Sequence, residues 1–404
     1  MFGKMRQPTL TEGPLFPHIV RFSFPLMLSN VLQVLFNMSD IAVVGRFAGP
    51  RALGAVGSTT ILVSLFTGFL IGMGSGVNVT VARFLGAARD RDVSEAVHTS
   101  AILLTLSGLL LLTLGYAFTP AVLRLLGTKE VLLDGAIRYL RIYLFGMPAL
   151  AFFNFGSGVL SASGDTKRPL MFLTVAGALN VALNLLFVIG LGLAEAGVAL
   201  ASAVSQYVSA LLILLSLTRR HEAIGLRLRK LRLDPGKCRM VLGISVPSGF
   251  QNAIFAIANL FIQGGVNTFD AVTVEGNAAA ANADALVYDV MAAVYTACSS
   301  FMSRNYGAGQ KERVRRSYLL TLGLSFGIGL GLGSLLAVFG RSFLGLFTRD
   351  PAVAEAGLTR LQVMGLSYGF SALMDNTIAA SRGLGRSLVP TVIVILGSCV
   401  FRVI

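Results

Sequence analysis

Arg83-Phe84-Leu85-Gly86-Ala87-Ala88-Arg89-Asp90-Arg91-Asp92-Val93 returns 221 residues later as Arg304-Asn305-Tyr306-Gly307-Ala308-Gly309-Gln310-Lys311-Glu312-Arg313-Val314. Both copies follow a long apolar run and end in charge. Other landmarks repeat at nearly the same offset. Pro25 is answered by Pro247, and Ser163-Gly164-Asp165-Thr166 by Arg382-Gly383-Leu384-Gly385, with Pro169 and Pro390 following. The chain is one unit used twice, and the fold follows from what that unit contains.

The unit is apolar. Hydrophobic residues make up 54% of the chain and charged residues 13%, against about 25% charged in soluble domains. Stretches free of Asp, Glu, Lys and Arg run 22–39, 52–82, 96–123, 142–164, 169–194, 196–218, 240–269 and 317–340. Each reaches the ~18 residues that argue a transmembrane helix. Three more, near 277–303, 358–381 and 387–404, qualify once one or two charged residues each are allowed. The expectation is an all-α polytopic membrane protein of eleven spans. An even number of spans per repeat gives both halves one orientation, hence two pseudo-symmetric six-helix lobes.

The formal charge of +14 does not indicate nucleic acid. Basic residues gather between alternate spans: Arg83, Arg89 and Arg91; Lys167 and Arg168; 219–239; Arg304 through Arg316; Arg382 and Arg386. Intervening loops carry few: Arg46 and Arg51, Arg124 and Lys129, Arg341 and Arg349. This is the positive-inside bias. With Lys4 and Arg6 it places the N-terminus in the cytoplasm, and lipid headgroups account for the remaining excess. The stretch 219–239, with eight basic residues and two acids, reads as a cytoplasmic linker between a first lobe, 1–218, and a second, 240–404. The second lobe holds five spans; the twelfth, the partner of 196–218, is missing. Ending at Arg402-Val403-Ile404 favours a truncated chain.

Four carboxylates interrupt spans: Asp40, Asp284, Asp289 and Asp375. They are read as lacking a neutralising Lys or Arg in the same stretches. A lone charge in a bilayer costs several kcal/mol, so it marks a cavity, a proton or a cation. Asn30, Gln33, Asn37 and Asp40 share one helix face. Asn180 and Asn184 on the fifth span, with Ser202, Ser205 and Gln206 on the sixth, are expected around Asp40. The second lobe offers Gln251, Asn252, Asn259 and Gln263, then Asn277, Asp284 and Tyr288 along one face, then Ser371 and Asp375. Asp289 lies off that face and is expected to matter less. Polar stripes also serve as interhelical glue. Across the repeat, Asp375 stands opposite Asn154 and Asp40 opposite Phe261, so the acids are additions to a shared scaffold. There is no P-loop, HExxH or CxxC. That leaves no enzyme, cofactor or metal expectation.

Leu35-Phe36-Asn37-Met38-Ser39-Asp40-Ile41-Ala42-Val43-Val44-Gly45-Arg46-Phe47-Ala48-Gly49 resembles the first helix and loop of the multidrug and toxic compound extrusion (MATE) family. Residues 76–87 and Asn305-Tyr306-Gly307-Ala308-Gly309 resemble its paired cytoplasmic-end motifs, in a bacterial branch. The resemblance implies twelve helices in two lobes and drug efflux by proton or sodium antiport. It aligns Asp40 with the first-helix acid, Asp284 with an eighth-helix acid and Asp375 with a tenth-helix acid. Two departures stand out. Asn184 replaces a fifth-helix acid, and only Gln251 and Asn252 lie near a seventh-helix acid, which favours the proton.

The expected function is export of amphipathic, mostly cationic compounds from a bacterial inner membrane by a monomer, with small molecules, a proton or sodium ion and the bilayer as partners. Cation coupling falls to Asp40, Asn180 and Asn184. The substrate surface falls to Gln33 and Asn37 with the second-lobe cavity residues Gln251, Asn259, Asp284, Tyr288 and Asp375. The rival is a lipid-linked oligosaccharide flippase, which needs Arg or Lys in its cavity. The topology is tested by reporter fusions: those after Arg91, Arg229 and Lys311 report cytoplasm, and those near Arg51 and Asp270 report the outside. A cytoplasmic signal at Asp270 contradicts the six-plus-six arrangement.

Overall fold

A computed structural model of the chain describes residues 10–345, 348 and 350–400. Lys4, Arg6, Arg349 and Arg402-Val403-Ile404 lie outside the described residues. The helices are α1 Leu15–Val43, α2 Gly49–Gly86, α3 Asp90–Leu125, α4 Glu130–Leu144, α5 Met147–Ala162, α6 Lys167–Leu185, α7 Ala194–Thr218, α8 Pro235–Val266, α9 Ala271–Gly307, α10 Lys311–Leu344, α11 Pro351–Gly383 and α12 Leu388–Val394. By length and composition, seven helical stretches among the described residues can cross a membrane, and α4 with α5, bent by 43°, makes an eighth.

One of the seven, Leu15–Gly86, has 72 residues. At ~1.5 Å per residue it would be about 108 Å long, over three times a ~30 Å bilayer core. It is two helices, broken at Gly49, whose φ is +87°. Contacts with α9 fix their directions. Asn30 of α1 meets Asp289 and Phe22 meets Phe301, so α1 runs antiparallel to α9. Asn78 meets Ser300, Val79 meets Ser303 and Arg83 meets Tyr306, so α2 runs parallel to α9. The helix α11 is also long, but Glu355, Arg360 and Asp375 make it less apolar. Apolar side chains such as Leu110, Phe118, Val338 and Phe339 stand exposed on the outer helix surfaces, as a lipid-facing wall requires.

The two copies of the opening motif meet each other. A Cβ on Gly86 would overlap the Arg304 carbonyl, and a Cβ on Gly307 would overlap the Arg83 carbonyl. The contact is reciprocal, as in a two-fold interface. The arginines exchange as well. Arg304 Nη1 donates to the Ala162 carbonyl at 2.8 Å, where a cation suits the C-terminus of α5. Arg83 lies beside Gly385, just past the end of α11, with its guanidinium 4.7 Å from the centre of the Tyr306 ring. Small buried polar residues continue the seam. Ser300 donates to Asn78 Oδ1 at 2.7 Å, Ser303 to the Val79 carbonyl at 2.6 Å and Ser245 to the Met73 carbonyl at 2.9 Å.

The linker is docked on the first half. Ile224 and Leu226 are buried in its core. Arg220 pairs with Asp165 at 2.7 Å, Lys237 with Asp92 at 2.5 Å, and the Arg227 amide donates to His98 Nε2 at 3.1 Å. Asp234 caps α8 by accepting from the Lys237 amide. Basic residues read only as topology signals therefore also carry structure.

Gly86→Ala and Gly307→Ala should each lower stability by about 1–3 kcal/mol, the usual cost of overpacking, and by similar amounts. Gly323→Ala, with nothing within 4 Å of its Cβ, should be neutral or slightly stabilising. Thermal unfolding in detergent measures all three. A harmless Gly86→Ala contradicts the crossing.

Candidate functional site

In the first half the sequence-selected polar residues converge on Asp40. Its Oδ1 accepts from Asn184 Nδ2 at 2.5 Å and its Oδ2 from Ser202 Oγ at 3.3 Å. Asn184 Nδ2 also donates to Asn180 Oδ1 at 3.2 Å, and Asn180 Nδ2 to Ser202 Oγ at 3.4 Å. Residues one helical turn apart on α6 thus form a ladder to α7 and α1. Asn184 is fully buried, and its Oδ1 has no partner. Tyr139 and Tyr143, stacked with centroids 6.0 Å apart on α4, lie within electrostatic reach of Asp40. They were not singled out in the sequence; their spacing of four on the strongly amphipathic α4 was the available signal. Among the described residues no Lys or Arg pairs with Asp40.

Other members of the stripe do not join this network. Gln33 and Asn37 are exposed. Asn30 reaches across to α9 and donates to the Asp289 carbonyl at 2.8 Å. Ser205 turns back on its own helix to the Ala201 carbonyl. Gln206 Oε1 is buried without a partner beside Gly146, at the bend between α4 and α5.

The second half differs in charge. The expectation that Asp284 stands unneutralised is overturned: Arg360 of α11 pairs with Asp284 Oδ2 and also donates to Asn277 Oδ1, while the Tyr368 hydroxyl donates to Asp284 Oδ1. Arg360 lies inside the 358–381 stretch but acts on the facing helix, a relation that reading along one stretch does not capture. Asp375 accepts from Ser371 at 3.4 Å and feels the field of Arg382. Arg382, read as a loop cation, is instead tucked in, donating to Gln251 Oε1 at 2.8 Å; Thr391 donates to the same oxygen at 3.2 Å. Tyr288, 46% exposed, stands near Asp375, whereas Asn259 is exposed on the far part of α8.

The two halves close at the basic-loop end. The bonds between them, from Arg304–Ala162 to Asn30–Asp289 and Asn252–Gly68, reach only the middle of the helices. Beyond that level Asn37, Ile41 and Phe261 are exposed. Away from the basic loops α1 and α8 do not pack on each other, so the halves part there; Asp40 lies at that level of α1, its carboxylate turned to α6 and α7.

Removing one member of a buried ion pair costs about 3–5 kcal/mol because the other charge is left alone. The Arg360 and Asp284 side chains are 28% and 21% exposed, so Arg360→Met should fall toward the lower end. The double variant Arg360→Met/Asp284→Asn should recover most of the loss. Thermal unfolding of the set checks this; a double variant as unstable as the single one argues against the pair.

A family model described as MatE matches residues 25–186 and 247–404. The chain is 27% identical over 366 residues to the probable multidrug resistance protein YpnP of Bacillus subtilis, covering 91% of this chain and 82% of that one. It is 26% identical over 367 residues to the FAD transporter of Shewanella oneidensis, covering 89% and 80%. An outward-facing MATE multidrug transporter superimposes with a TM-score of 0.92 at 24% identity, covering 100% of this chain and 90% of that one. A Pyrococcus furiosus transporter, described as having a binding pocket of reverse polarity, superimposes at 0.90 and 24%, covering 98% and 88%. These structures carry the fold, an all-α polytopic membrane protein, and the relatives are named as a multidrug resistance protein and a transporter, not as enzymes. The chain belongs to the MatE family.

Proposed function

We propose that the protein is a secondary antiporter that exports amphipathic, mostly cationic organic compounds, driven by inward protons in preference to sodium. The observation that carries this reading is the chemistry around Asp40. Its partners, Asn184 and Ser202, are neutral. A buried carboxyl with only neutral partners can hold a proton or release it, whereas an arginine would fix its charge. The unpartnered Asn184 Oδ1 beside it is an acceptor for the hydroxyl of the protonated acid after the amide rotates. Asp40, Asn180 and Asn184 are the coupling group, and Asn37, Gln33, Gln251, Asn259, Tyr288, Asp284 and Asp375 belong to the walls on which substrate moves.

Residues 1–218 and 240–404 act as two lobes, with 219–239 travelling with the first. The positive-inside pattern puts the closed end of the cleft in the cytoplasm of a bacterial inner membrane. The protein works as a monomer and needs no cofactor.

The flippase alternative, and an anionic cargo such as the one named for the Shewanella relative, both require free cations in the cavity. Arg360 and Arg382 are inside the second half, but Arg360 is paired with Asp284 and Arg382 is bonded to Gln251 in the field of Asp375. That pairing supports the cationic reading.

Asp40→Asn keeps size and hydrogen bonding but cannot change charge. It should insert and unfold like the wild type yet lose ethidium efflux driven by a pH gradient in vesicles. An imposed sodium gradient alone should drive little transport. Efflux by Asp40→Asn at the wild-type rate would falsify the coupling role.

A further inference from the structure

Two hydrogen bonds set the level at which the cleft closes. Asn30 Nδ2 on α1 donates to the carbonyl of Asp289 on α9 at 2.8 Å, and Asn252 Nδ2 on α8 donates to the carbonyl of Gly68 on α2 at 3.1 Å. The two asparagines are 222 residues apart, and the two acceptors 221 apart. The bonds are therefore mates under the same two-fold relation as the Gly86 and Gly307 crossing. Other bonds between the halves, at Ser245, Ser300, Ser303, Arg304, Asn305 and Arg313, lie nearer the basic-loop end.

The two asparagine-to-carbonyl bonds are symmetric, but the residues that supply the carbonyls are not. One acceptor is glycine and the other is aspartate. Asp289 is also unlike the other three span carboxylates. Asp40 has Asn184 and Ser202, Asp284 has Arg360 and Tyr368, and Asp375 has Ser371. The Asp289 carboxylate is half-buried and has neither a hydrogen-bond donor nor a cation within pairing distance among the described residues. The Asn30 bond uses its main-chain oxygen only. These surroundings run against the expected ranking, in which Asp289 matters less than Asp284.

We propose that Asp289 anchors the positive charge of the transported compound at the cleft floor. The inference rests on the reading of the protein as an exporter of organic cations and gives that reading a residue. An uncompensated carboxylate at this depth is costly until a cation joins it. A ligand cation supplies the missing charge, and Tyr288, partly exposed and within the field of Asp289, is the nearest aromatic neighbour along the chain. With no donor or acceptor arranged around the carboxylate, recognition is by charge alone. A lipophilic cation lacking N–H groups should bind as well as an ammonium of similar bulk.

The test is equilibrium binding of tetraphenylphosphonium to the purified full chain at pH 8. Wild type should bind it. Asp289→Asn, and Asp289→Gly, which restores the residue found at the two-fold mate Gly68, should weaken binding at least tenfold. Asp289→Glu should stay within about threefold of wild type, a rescue that a purely structural role would not produce. Either carboxylate-free variant that elutes as a folded monomer decides the matter. Wild-type affinity in such a variant overturns the assignment of Asp289 while leaving cation export standing. No binding by the wild type overturns cation export itself, and the assignment with it.

Discussion

Two glycines hold this structure in its observed state. Where α2 and α9 cross, the backbone at Gly86 rests on the Arg304 carbonyl and that at Gly307 on the Arg83 carbonyl, with no room for a Cβ at either place. In a bilayer, helices gain little from hydrophobic burial against one another, so close backbone approach and interhelical hydrogen bonds do the joining. The serines of the seam and the exchanged arginines follow from that approach. Because the contact is reciprocal, each half meets the other through the same motif.

The scaffold is symmetric and the charges on it are not. The left-handed glycines Gly164 and Gly385 set the offset here at 221, which corrects the expected pairing of Ser163 with Arg382: Asp375 and Arg382 of the second half stand where the first has Asn154 and Ser161. The second half thus gained an acid and a base together, as well as the Asp284–Arg360 pair. The first half carries Asp40 among neutral partners. Compensated acids hold helices together, and uncompensated ones are left to bind what passes. Charge balance between facing helices, not the number of acids, separates the two roles.

Much of the fold was legible in the sequence. Spans are long charge-free runs, and the repeat offset marks the two motifs, though not that they cross each other. The Asp40 network was legible too, because Asn180 and Asn184 sit one turn apart and Ser202 lies on the next span. Partners on other helices were hidden. Periodicity along one helix says which residues share a face but not which helix that face meets, so Arg360 was not matched to Asp284. Nor was Asn30 separated from the Asp40 stripe, and Arg382 was taken for a loop residue. The bend between α4 and α5, which brings Tyr139 and Tyr143 near Asp40, arises at Gly146 and has no signal beyond the Gly-Met-Pro turn.

The most direct test of the account is whether the glycine crossing and the cleft open in opposition. Spin labels on a cysteine-free background, one pair at Phe47 and Phe269 on the cleft side and one at Arg89 and Lys311 on the basic-loop side, report the two separations by pulsed dipolar spectroscopy. All four positions are exposed. On acidification in the presence of a lipophilic cation, the account predicts that the 47–269 distance shortens while the 89–311 distance lengthens. A change in the first pair with the second fixed would contradict it, since the crossing would then be permanent and the cleft would have only one door.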